Sequence, residues 1–359
     1  MADAEQELQQ LRTRIDALDG ELLQLINERA TIAQRIGHIK QGAIYRPERE
    51  AQVLRRVAEA NPGPLSAEAA QRIVREVMSA CLALEQPLNI AFLGPAGTYS
   101  EAAAVKHFGS APTFLPCASI DEIFRAVESG AAHYGVVPVE NSTEGAIART
   151  LDLLLSSPLM ICGEINLPIH HQLMGHASLG TVTQVYSHAQ SLAQCHAWLS
   201  HHLPNAARVA VASNAEAAQL AAQDKNSLAI AGEKAAEIYS LPVVASNIED
   251  DPSNTTRFLV IATHSAGASG NDRTSLICSA KNQPGAIYHL LAPLAEKGVS
   301  MTRLESRPAR GWGGKRWEYV FYLDIDGHQD DPLIAEALTA LAQRADFMKR
   351  LGSYPKAVY

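Results

Sequence analysis

The chain has 359 residues, of which 47% are hydrophobic and 19% charged, so it is long and apolar enough for two or three domains with cores and too apolar to be disordered. Its formal net charge of -8 disfavours non-specific binding to nucleic acid and favours small-molecule partners. The five cysteines are scattered and include no C-x-x-C pair, which argues against a disulfide framework and a zinc site. The N terminus is polar and no apolar run approaches the ~18 residues that a membrane span needs. These features favour a cytoplasmic protein.

The first 87 residues predict three helices. Apolar residues between Leu8 and Ile39 recur at intervals of three and four, which predicts one long helix over about residues 5–40. At 1.5 Å per residue this helix spans roughly 50 Å, more than the diameter of so small a domain, so we expect a second chain to cover part of it. Two further helices are predicted, one from Pro47 to about Ala60 and one from its cap at Ser66 to Glu85.

The long helix carries basic residues at positions that could form an anion site. Arg29 and Lys40 are three helical turns apart, so they share a face at a distance of about 16 Å and could both reach one small anion. Arg12 lies on a different face, roughly 25 Å from Arg29, and could join such a site only from a partner chain. The alternative is an ordinary solvated face, since cations are common on long helices.

These residues fall in motifs that resemble the all-helical chorismate mutase family. The motifs are L-R-x-x-I-D-x-L-D at residues 11–19, Glu28–Arg29, Lys40 and Arg49–Glu50, and the resemblance covers about residues 8–86. It implies an intertwined helical dimer in which Arg12 of one chain and six residues of the other surround chorismate, namely Arg29, Lys40, Arg49, Glu50, Cys81 and Glu85. Cys81 stands where other members often have a small hydroxyl residue, and Arg46 stands where some have an acid.

The reaction that this resemblance implies is a pericyclic rearrangement, which needs no nucleophile. It needs a site that holds two carboxylates and stabilises the charge developing on the ether oxygen. The resemblance assigns the catalytic roles to Arg29, Lys40 and Glu85. Glu85 occupies the place where many relatives carry a glutamine, and a carboxyl group can donate a hydrogen bond to the ether oxygen only when it is protonated.

A different pattern begins near Asn89, where short apolar runs alternate with helices to about Thr263 and predict an α/β region. The turn Gly94–Thr98 joins a strand to a helix and is a candidate anion-binding loop, although it is neither a Walker loop nor a dinucleotide fingerprint. A later β-branched run brings a carboxylate, an amide and two hydroxyls to a loop closed by Gly145: Glu140, Asn141, Ser142 and Thr143. Taken alone, that run could equally be a strand followed by an ordinary helix cap.

Four motifs in this region, over about 175 residues, resemble the prephenate dehydratase family: GPAGTYS, VENSTEG, S-x-x-Q-x-x-x-Q-C and TRF. The resemblance implies a two-lobed α/β fold like that of periplasmic binding proteins, with the substrate site in the cleft. It places there Glu140, Asn141, Ser142, Ser187, Gln194, Thr256, Arg257 and Phe258, with Thr98 and Ser100 at the edge. Ala189 departs from the family, which usually has proline at that position.

Prephenate loses a carboxylate and a hydroxyl to become aromatic, so the enzyme has little covalent work. We expect Arg257 to hold the carboxylate and Thr256 to donate a hydrogen bond to the leaving oxygen, with Glu140 as a relay or orienting residue. The histidine pairs 170–171 and 201–202 do not indicate a metal, because adjacent side chains diverge, and we interpret them as surface or core-edge residues. No metal and no cofactor is predicted.

The C-terminal region predicts a βαββαβ domain that follows a flexible linker at Ser265–Asn271. NQPGAIYHL and ESRP resemble the ACT domain, which senses small molecules. That resemblance implies that an amino acid binds between two such domains, near Asn282, Gly285, Ala286, Ile287, Glu305, Ser306, Arg307 and Pro308. A plain dimerisation domain is the alternative.

Taken together, the three regions resemble a bifunctional family that joins a chorismate mutase to a prephenate dehydratase. We predict an all-α mutase domain at residues 1–87, a two-lobed α/β dehydratase domain at 88–265 and an α+β ACT domain at 272–359. The predicted partners are chorismate, prephenate, the inhibitor L-phenylalanine and a second copy of the chain in a homodimer or higher homo-oligomer. Two alternatives are a dehydratase that also accepts arogenate and a non-catalytic amino-acid-responsive binding protein on the same fold.

Overall fold

The computed structural model describes residues 2–39, 45–281, 283–308 and 319–358. The chain folds into a helical part, a two-lobed α/β part and a C-terminal α+β part, which confirms the predicted fold class. Among the described helices, none combines the length and the apolar character that crossing a bilayer requires.

The helical part contains the three predicted helices: α1 (Ala2–Ile39), α2 (Pro47–Ala60) and α3 (Ala67–Glu85). Proline begins α2, and the hydroxyl of Ser66 caps α3 by accepting from the backbone N–H of Ala69 at 3.1 Å. Ten large apolar side chains of α1, from Leu8 to Ile39, are 42–81% exposed. An isolated chain therefore leaves the apolar stripe of α1 uncovered.

The α/β part has eleven strands and seven helices among the described residues. In chain order they are β1 (Asn89–Leu93), α4 (Tyr99–Phe108), β2 (Thr113–Cys117), α5 (Ile120–Glu128), β3 (Tyr134–Asn141), β4 (Gly145–Ala146), α6 (Ala148–Ser156), β5 (Met160–Pro168), β6 (Gln172–Met174), β7 (Gln184–His188), α7 (Ala189–Gln194), α8 (His196–His202), β8 (Ala207–Val211), α9 (Asn214–Gln223), β9 (Ser227–Ala231), α10 (Glu233–Tyr239), β10 (Val243–Ala245) and β11 (Thr255–Ala262).

These strands form two sheets, one in each lobe. The first has the order β2-β1-β3-β11-β5, with β4 beside β3, and the second has the order β10-β6-β9-β7-β8. The chain enters the second lobe after β5 and returns before β11, and the two crossing segments meet where the N–H of Ile169 donates to the carbonyl of Asn254 at 2.8 Å. The start of β11 thus lies where the lobes join.

The C-terminal part is a four-stranded antiparallel sheet with the order β13-β14-β12-β15. Its elements are β12 (Asp272–Ser279), α11 (Ala286–Glu296), β13 (Met301–Pro308), β14 (Tyr319–Asp326), α12 (Pro332–Arg344) and β15 (Phe347–Pro355). Side chains alternate between its faces: Leu276 and Leu323 pack under the two helices, whereas Ile277 and Tyr322 join the core of the first lobe. The C-terminal part is therefore docked on the first lobe through a shared apolar core.

The segment predicted to be a flexible linker is instead packed against its neighbours. Ala266 is 7% exposed and Ser269 is 5% exposed. The carbonyl of Ser269 accepts from the guanidinium of Arg55 on α2, and the carbonyl of Ala266 lies 3.3 Å from Nε2 of His328. Buried backbone groups need such partners, so a serine- and glycine-rich composition did not make this segment a free linker.

Candidate functional sites

The amide of Asn141 is oriented by the backbone of the loop that follows it. Its Oδ1 accepts from the N–H groups of Thr143 at 3.0 Å and Glu144 at 3.1 Å. Because those donors fix the oxygen, the amide nitrogen faces the other way, where it donates to Oγ1 of Thr256 at 2.8 Å and to Oδ1 of Asn254 at 3.0 Å. The short turn after β3 thus determines the polarity of the whole cluster.

This orientation sets the role of the Thr256 hydroxyl. Asn141 and Thr256 are paired across β3 and β11, and the threonine oxygen accepts from the asparagine amide. A hydroxyl has one proton to donate, and that proton is not used in the bond with Asn141. Thr256 can therefore donate a hydrogen bond to a bound molecule, as its predicted role requires.

Asn254 is a residue of this cluster that the sequence analysis did not single out as functional. Its Oδ1 accepts from Asn141 and also from the hydroxyls of Ser142 at 3.3 Å and Thr143 at 3.2 Å. The residue is 2% exposed, and its amide nitrogen has no partner among the described residues. The available signal was its position, two residues before Thr256.

Arg257 and Glu140 lie on the opposite side of the β3–β11 pair from Thr256 and Asn141. Arg257 and Glu140 are also cross-strand partners, each next in sequence to a member of the Thr256–Asn141 pair. Because successive side chains of a strand point to opposite faces, the two pairs lie on opposite faces. Arg257 donates to Glu164 at 2.9 Å, to Asp324 at 2.5 Å and to the hydroxyl of Tyr354 at 3.0 Å. Arg257 was expected to lie in the cleft as the cation for the substrate carboxylate. That expectation is wrong in this structure, because strand alternation turns its side chain to the opposite face.

Glu140 is likewise turned towards the C-terminal part. It accepts from Nε of Arg303 on β13 at 2.8 Å, in a pair whose arginine side chain is 12% and whose glutamate side chain is 38% exposed. The expected role of Glu140 as a relay for Thr256 is therefore not supported by its position. Glu140 and Arg257 thus both bind the C-terminal part instead of facing the cleft.

The turn Gly94–Thr98 and the residues after it are committed to local contacts. The N–H of Gly97 donates to the carboxylate of Glu101 at 2.5 Å, so an internal anion uses this donor. The hydroxyl of Thr98 donates to the carbonyl of Leu93 at 2.9 Å and caps α4, while Ser100 is buried at 6% exposure. These contacts favour a structural role for Thr98.

The second polar cluster joins the two lobes around His171. The amide oxygen of Gln194 lies 2.9 Å from Nε2 of His171, and the hydroxyl of Tyr99, on α4 of the first lobe, lies 2.8 Å from Nδ1. Burial lowers the pKa of His171, so the ring is neutral near pH 7. The interpretation of His171 as an ordinary core-edge residue was therefore incomplete.

Other residues implied for the cleft have internal partners. Ser187 is fully buried, and its hydroxyl contacts Oδ1 of Asn214 at 2.9 Å and the carbonyl of Ile230 at 2.8 Å. Phe258 is 2% exposed and belongs to the core of the first lobe. Within the described ranges, no cluster of three or more histidine, cysteine or acidic residues could hold a metal ion.

The described residues that the resemblance implies for the mutase site are distributed along the three helices. Arg12, Arg29 and Arg49 are exposed, and Lys40 lies outside the described residues. Cys81 is buried at 2% exposure. The carboxylate of Glu85 lies against α1, because a Cβ atom added at Gly37 would come within 2.7 Å of its Oε2.

Glu50, which is also implied for chorismate binding, has an internal partner. Its carboxylate lies 3.2 Å from Nε of Arg75, and another nitrogen of Arg75 donates to the carbonyl of Lys106 at 2.8 Å. Burial raises the pKa of Glu50 to about 7, although Arg75 opposes that rise. Glu50 thus takes part in the contact between the helical part and the first lobe.

The described residues implied for effector binding cluster at two places in the C-terminal part. Gly285, with φ of +75°, precedes α11, which begins with Ala286 and the 45% exposed Ile287. On β13, Glu305 and Arg307 are half-buried, whereas Ser306 and Pro308 are exposed. Arg307 pairs with Asp152 at 3.3 Å. Asn282 lies outside the described residues.

Three family models match the chain in consecutive segments. "Chorismate mutase type II" matches residues 11–86, "Prephenate dehydratase" matches residues 90–266 and "ACT domain" matches residues 274–343. Their order is the one that the sequence motifs predict.

Individual proteins are similar over the same regions. A bifunctional chorismate mutase/prephenate dehydratase of Neisseria gonorrhoeae is 54% identical over 97% of this chain and 96% of its own length. An arogenate dehydratase/prephenate dehydratase of Arabidopsis thaliana is 38% identical over 75% of this chain and 73% of its own length. A solved prephenate dehydratase from Arthrobacter aurescens, in complex with L-Phe, is 33% identical, with a TM-score of 0.69 over 75% of this chain and 90% of that one.

Proposed function

The chain belongs to the family of bifunctional chorismate mutase/prephenate dehydratases, and from that premise we propose how its parts divide the work. It combines chorismate mutase and prephenate dehydratase activities with an ACT regulatory domain. The helical part converts chorismate to prephenate, and the two-lobed part converts prephenate to phenylpyruvate. The observation that carries the second assignment is the Thr256 hydroxyl, which Asn141 orients as a donor. Incubating the pure protein with chorismate and following prephenate and phenylpyruvate tests both steps.

In the dehydration, the bond from the ring to its carboxylate breaks, and that group leaves as CO₂. The electron pair of this bond completes the aromatic ring as the hydroxyl departs, and the departing oxygen takes a proton to become water. Thr256 is a poor acid, so we assign it a hydrogen bond to the leaving oxygen, where negative charge develops. Asn141 is a positioning residue for Thr256.

In the mutase reaction the protein supplies cations and shape. We propose that two chains pack along α1, because its apolar stripe is left exposed in one chain. That arrangement would bring Arg12 of one chain to Arg29 and Glu85 of the other. The contact of Glu85 with Gly37 supports its position beside α1.

Glu85→Gln is expected to retain mutase activity and to flatten its dependence on pH. A glutamine donates a hydrogen bond to the ether oxygen at any pH, whereas Glu85 donates only while it is protonated. The wild-type rate, relative to that of the glutamine variant, should therefore fall as pH rises. Initial rates of chorismate loss against pH for both proteins measure this, and superimposable profiles would show that Glu85 does not face the ether oxygen.

We propose that L-phenylalanine binds the ACT part and inhibits the dehydratase through β3 and β11. Support comes from the solved relative in complex with L-Phe and from the two faces of this strand pair. On one face Asn141 contacts Thr256, and on the other Glu140 and Arg257 bind Arg303 and Asp324 of the ACT part. A shift of the ACT part would be transmitted directly to the strands that carry Thr256.

Arg303→Ala is expected to raise the phenylalanine concentration for half-inhibition about tenfold, since allosteric coupling is typically 1–3 kcal/mol. Basal dehydratase activity should stay within about threefold, because Glu140 faces away from Thr256. Arg350→Ala, an exposed residue of the same sheet, is the matched control. The test uses the full chain, because removing the ACT part would expose the shared core around Ile277 and Tyr322. Unchanged inhibition would exclude the Arg303–Glu140 pair from the coupling.

A second substrate is suggested by the plant relative whose name includes arogenate dehydratase. Arogenate carries an amine where prephenate carries a ketone, while the ring groups that are lost are the same. A dehydratase assay with each substrate under identical conditions separates the two possibilities.

A further inference from the structure

Asn254 contributes more hydrogen-bonding capacity than its turn requires. Its amide oxygen alone accepts all three side-chain bonds that hold it, from Asn141, Ser142 and Thr143. Its amide nitrogen has no partner among the described residues, although the residue is 2% exposed. A buried donor without a partner is costly, and each such group in a folded protein needs an explanation, of which a catalytic or binding role is one.

The orientation of this donor is determined by the chain itself. The nitrogen of Asn141 must face Asn254, because the oxygen of Asn141 is held by two backbone N–H groups. Asn254 must in turn present its oxygen to Asn141 and its nitrogen elsewhere. Oγ1 of Thr256 and Oδ1 of Asn254 both lie within 3.0 Å of the amide nitrogen of Asn141. The two side chains are therefore close enough to contact one small molecule.

We propose that the amide nitrogen of Asn254 binds the ring carboxylate of prephenate, the group that leaves as CO₂. This inference rests on the proposed dehydratase function and assigns the carboxylate a partner on the Thr256 side of β11. Arg257, the cation expected for that role, is turned to the opposite face and held by Glu164 and Asp324.

A neutral donor suits this step better than a cation does. The carboxylate loses its charge as the bond to the ring breaks, so a cation would stabilise the substrate more than the transition state. An amide can orient the carboxylate with a weaker hold on its charge. Thr256 meanwhile donates where charge develops, on the leaving oxygen, so the two side chains assist opposite ends of one elimination.

The test compares Asn254→Asp with the wild-type protein. Aspartate keeps an acceptor for Asn141, Ser142 and Thr143, but when ionised it replaces the donor by a negative charge. We expect kcat/KM for prephenate to fall about 100-fold near neutral pH, with mutase activity unchanged. Thr255→Ala removes a neighbouring hydroxyl that contacts the carbonyl of Ser253 at 3.2 Å and does not hold Asn254, so this control should stay within about threefold.

The pH dependence distinguishes substrate binding from support of the turn. Protonated aspartate can donate, so the ratio of kcat/KM in the Asn254→Asp variant to kcat/KM in the wild type should rise as pH falls. A residue that only supports the turn predicts the opposite, because ionised aspartate is the stronger acceptor. Glu144 on the loop, Asp251 before Asn254 and His170 next to Ile169 are titratable groups on the elements packed around this cluster. All three are present in both proteins, so the ratio isolates the new carboxyl. Enzyme-free blanks are subtracted at each pH.

Three outcomes bear on the proposal. A kcat/KM within threefold of wild type in Asn254→Asp, or a ratio that falls at low pH, overturns it. If circular dichroism shows that the aspartate variant is unfolded, Asn254→Ser replaces it. Serine offers the turn an acceptor but is too short to reach the substrate. Retained dehydratase activity in Asn254→Ser would therefore overturn the proposal. A wild-type protein that does not convert prephenate would refute the proposed function itself, which is a separate result.

Discussion

Thr256→Ala is expected to reduce the dehydratase rate by about 10²–10³-fold, equivalent to ~3–4 kcal/mol, which is typical for loss of one donor to a developing oxyanion. Asn141 orients the threonine hydroxyl so that its proton remains available, and alanine has nothing to donate. Mutase activity should be unchanged, because the described residues that we propose for the mutase site lie on the separate helices α1 to α3. Steady-state rates with prephenate and with chorismate on one preparation measure both effects.

Two matched variants separate a lost hydroxyl from a disturbed strand. Thr256→Ser keeps the donor and should retain most of the dehydratase activity. Thr255→Ala removes a hydroxyl one position away, which contacts the carbonyl of Ser253 at 3.2 Å, and should have little effect. Equal losses of mutase and dehydratase activity in Thr256→Ala would contradict the assignment of the two reactions to separate sites.

Arg29→Ala is expected to reduce the mutase rate by roughly 10²–10³-fold, which corresponds to a loss of about 3–4 kcal/mol of transition-state stabilisation. Dehydratase activity should be unchanged. A carboxylate of the bound substrate would lose its ion-paired partner, and truncating one member of such a pair typically costs that much. Arg29 lies on α1, while Thr256 lies on β11 of another domain. Chorismate consumption and prephenate consumption, assayed separately, measure the two activities.

The control for Arg29→Ala is Arg14→Ala, which removes a charge from the same helix at an exposed position outside the proposed site. It should retain mutase activity within about twofold. A comparable fall in both variants would indicate that helix stability or dimerisation is being measured instead of substrate binding. A dehydratase loss as large as the mutase loss in Arg29→Ala would show that the two domains do not act independently.

The sequence predicted most of the secondary structure and the family. Helices α2 and α3 begin where Pro47 and the Ser66 cap predict, because capping and proline act through neighbouring residues. The exposed apolar stripe of α1 was also predictable, since helical periodicity alone shows how much surface needs covering. The motif around Asn141 and the TRF motif were correctly expected to meet, and they are paired across β3 and β11.

The tertiary structure decided which side of the β3–β11 pair each motif residue faces. Alternation places Arg257 opposite Thr256 in any strand, but only the docked ACT part shows that the arginine face is buried against Asp324 and Tyr354. The donor roles of Thr256 and Asn254 likewise depend on hydrogen bonds between residues more than 100 positions apart. Motifs report which residues are present, whereas direction and polarity follow from long-range pairing and from the domain that packs on the other face.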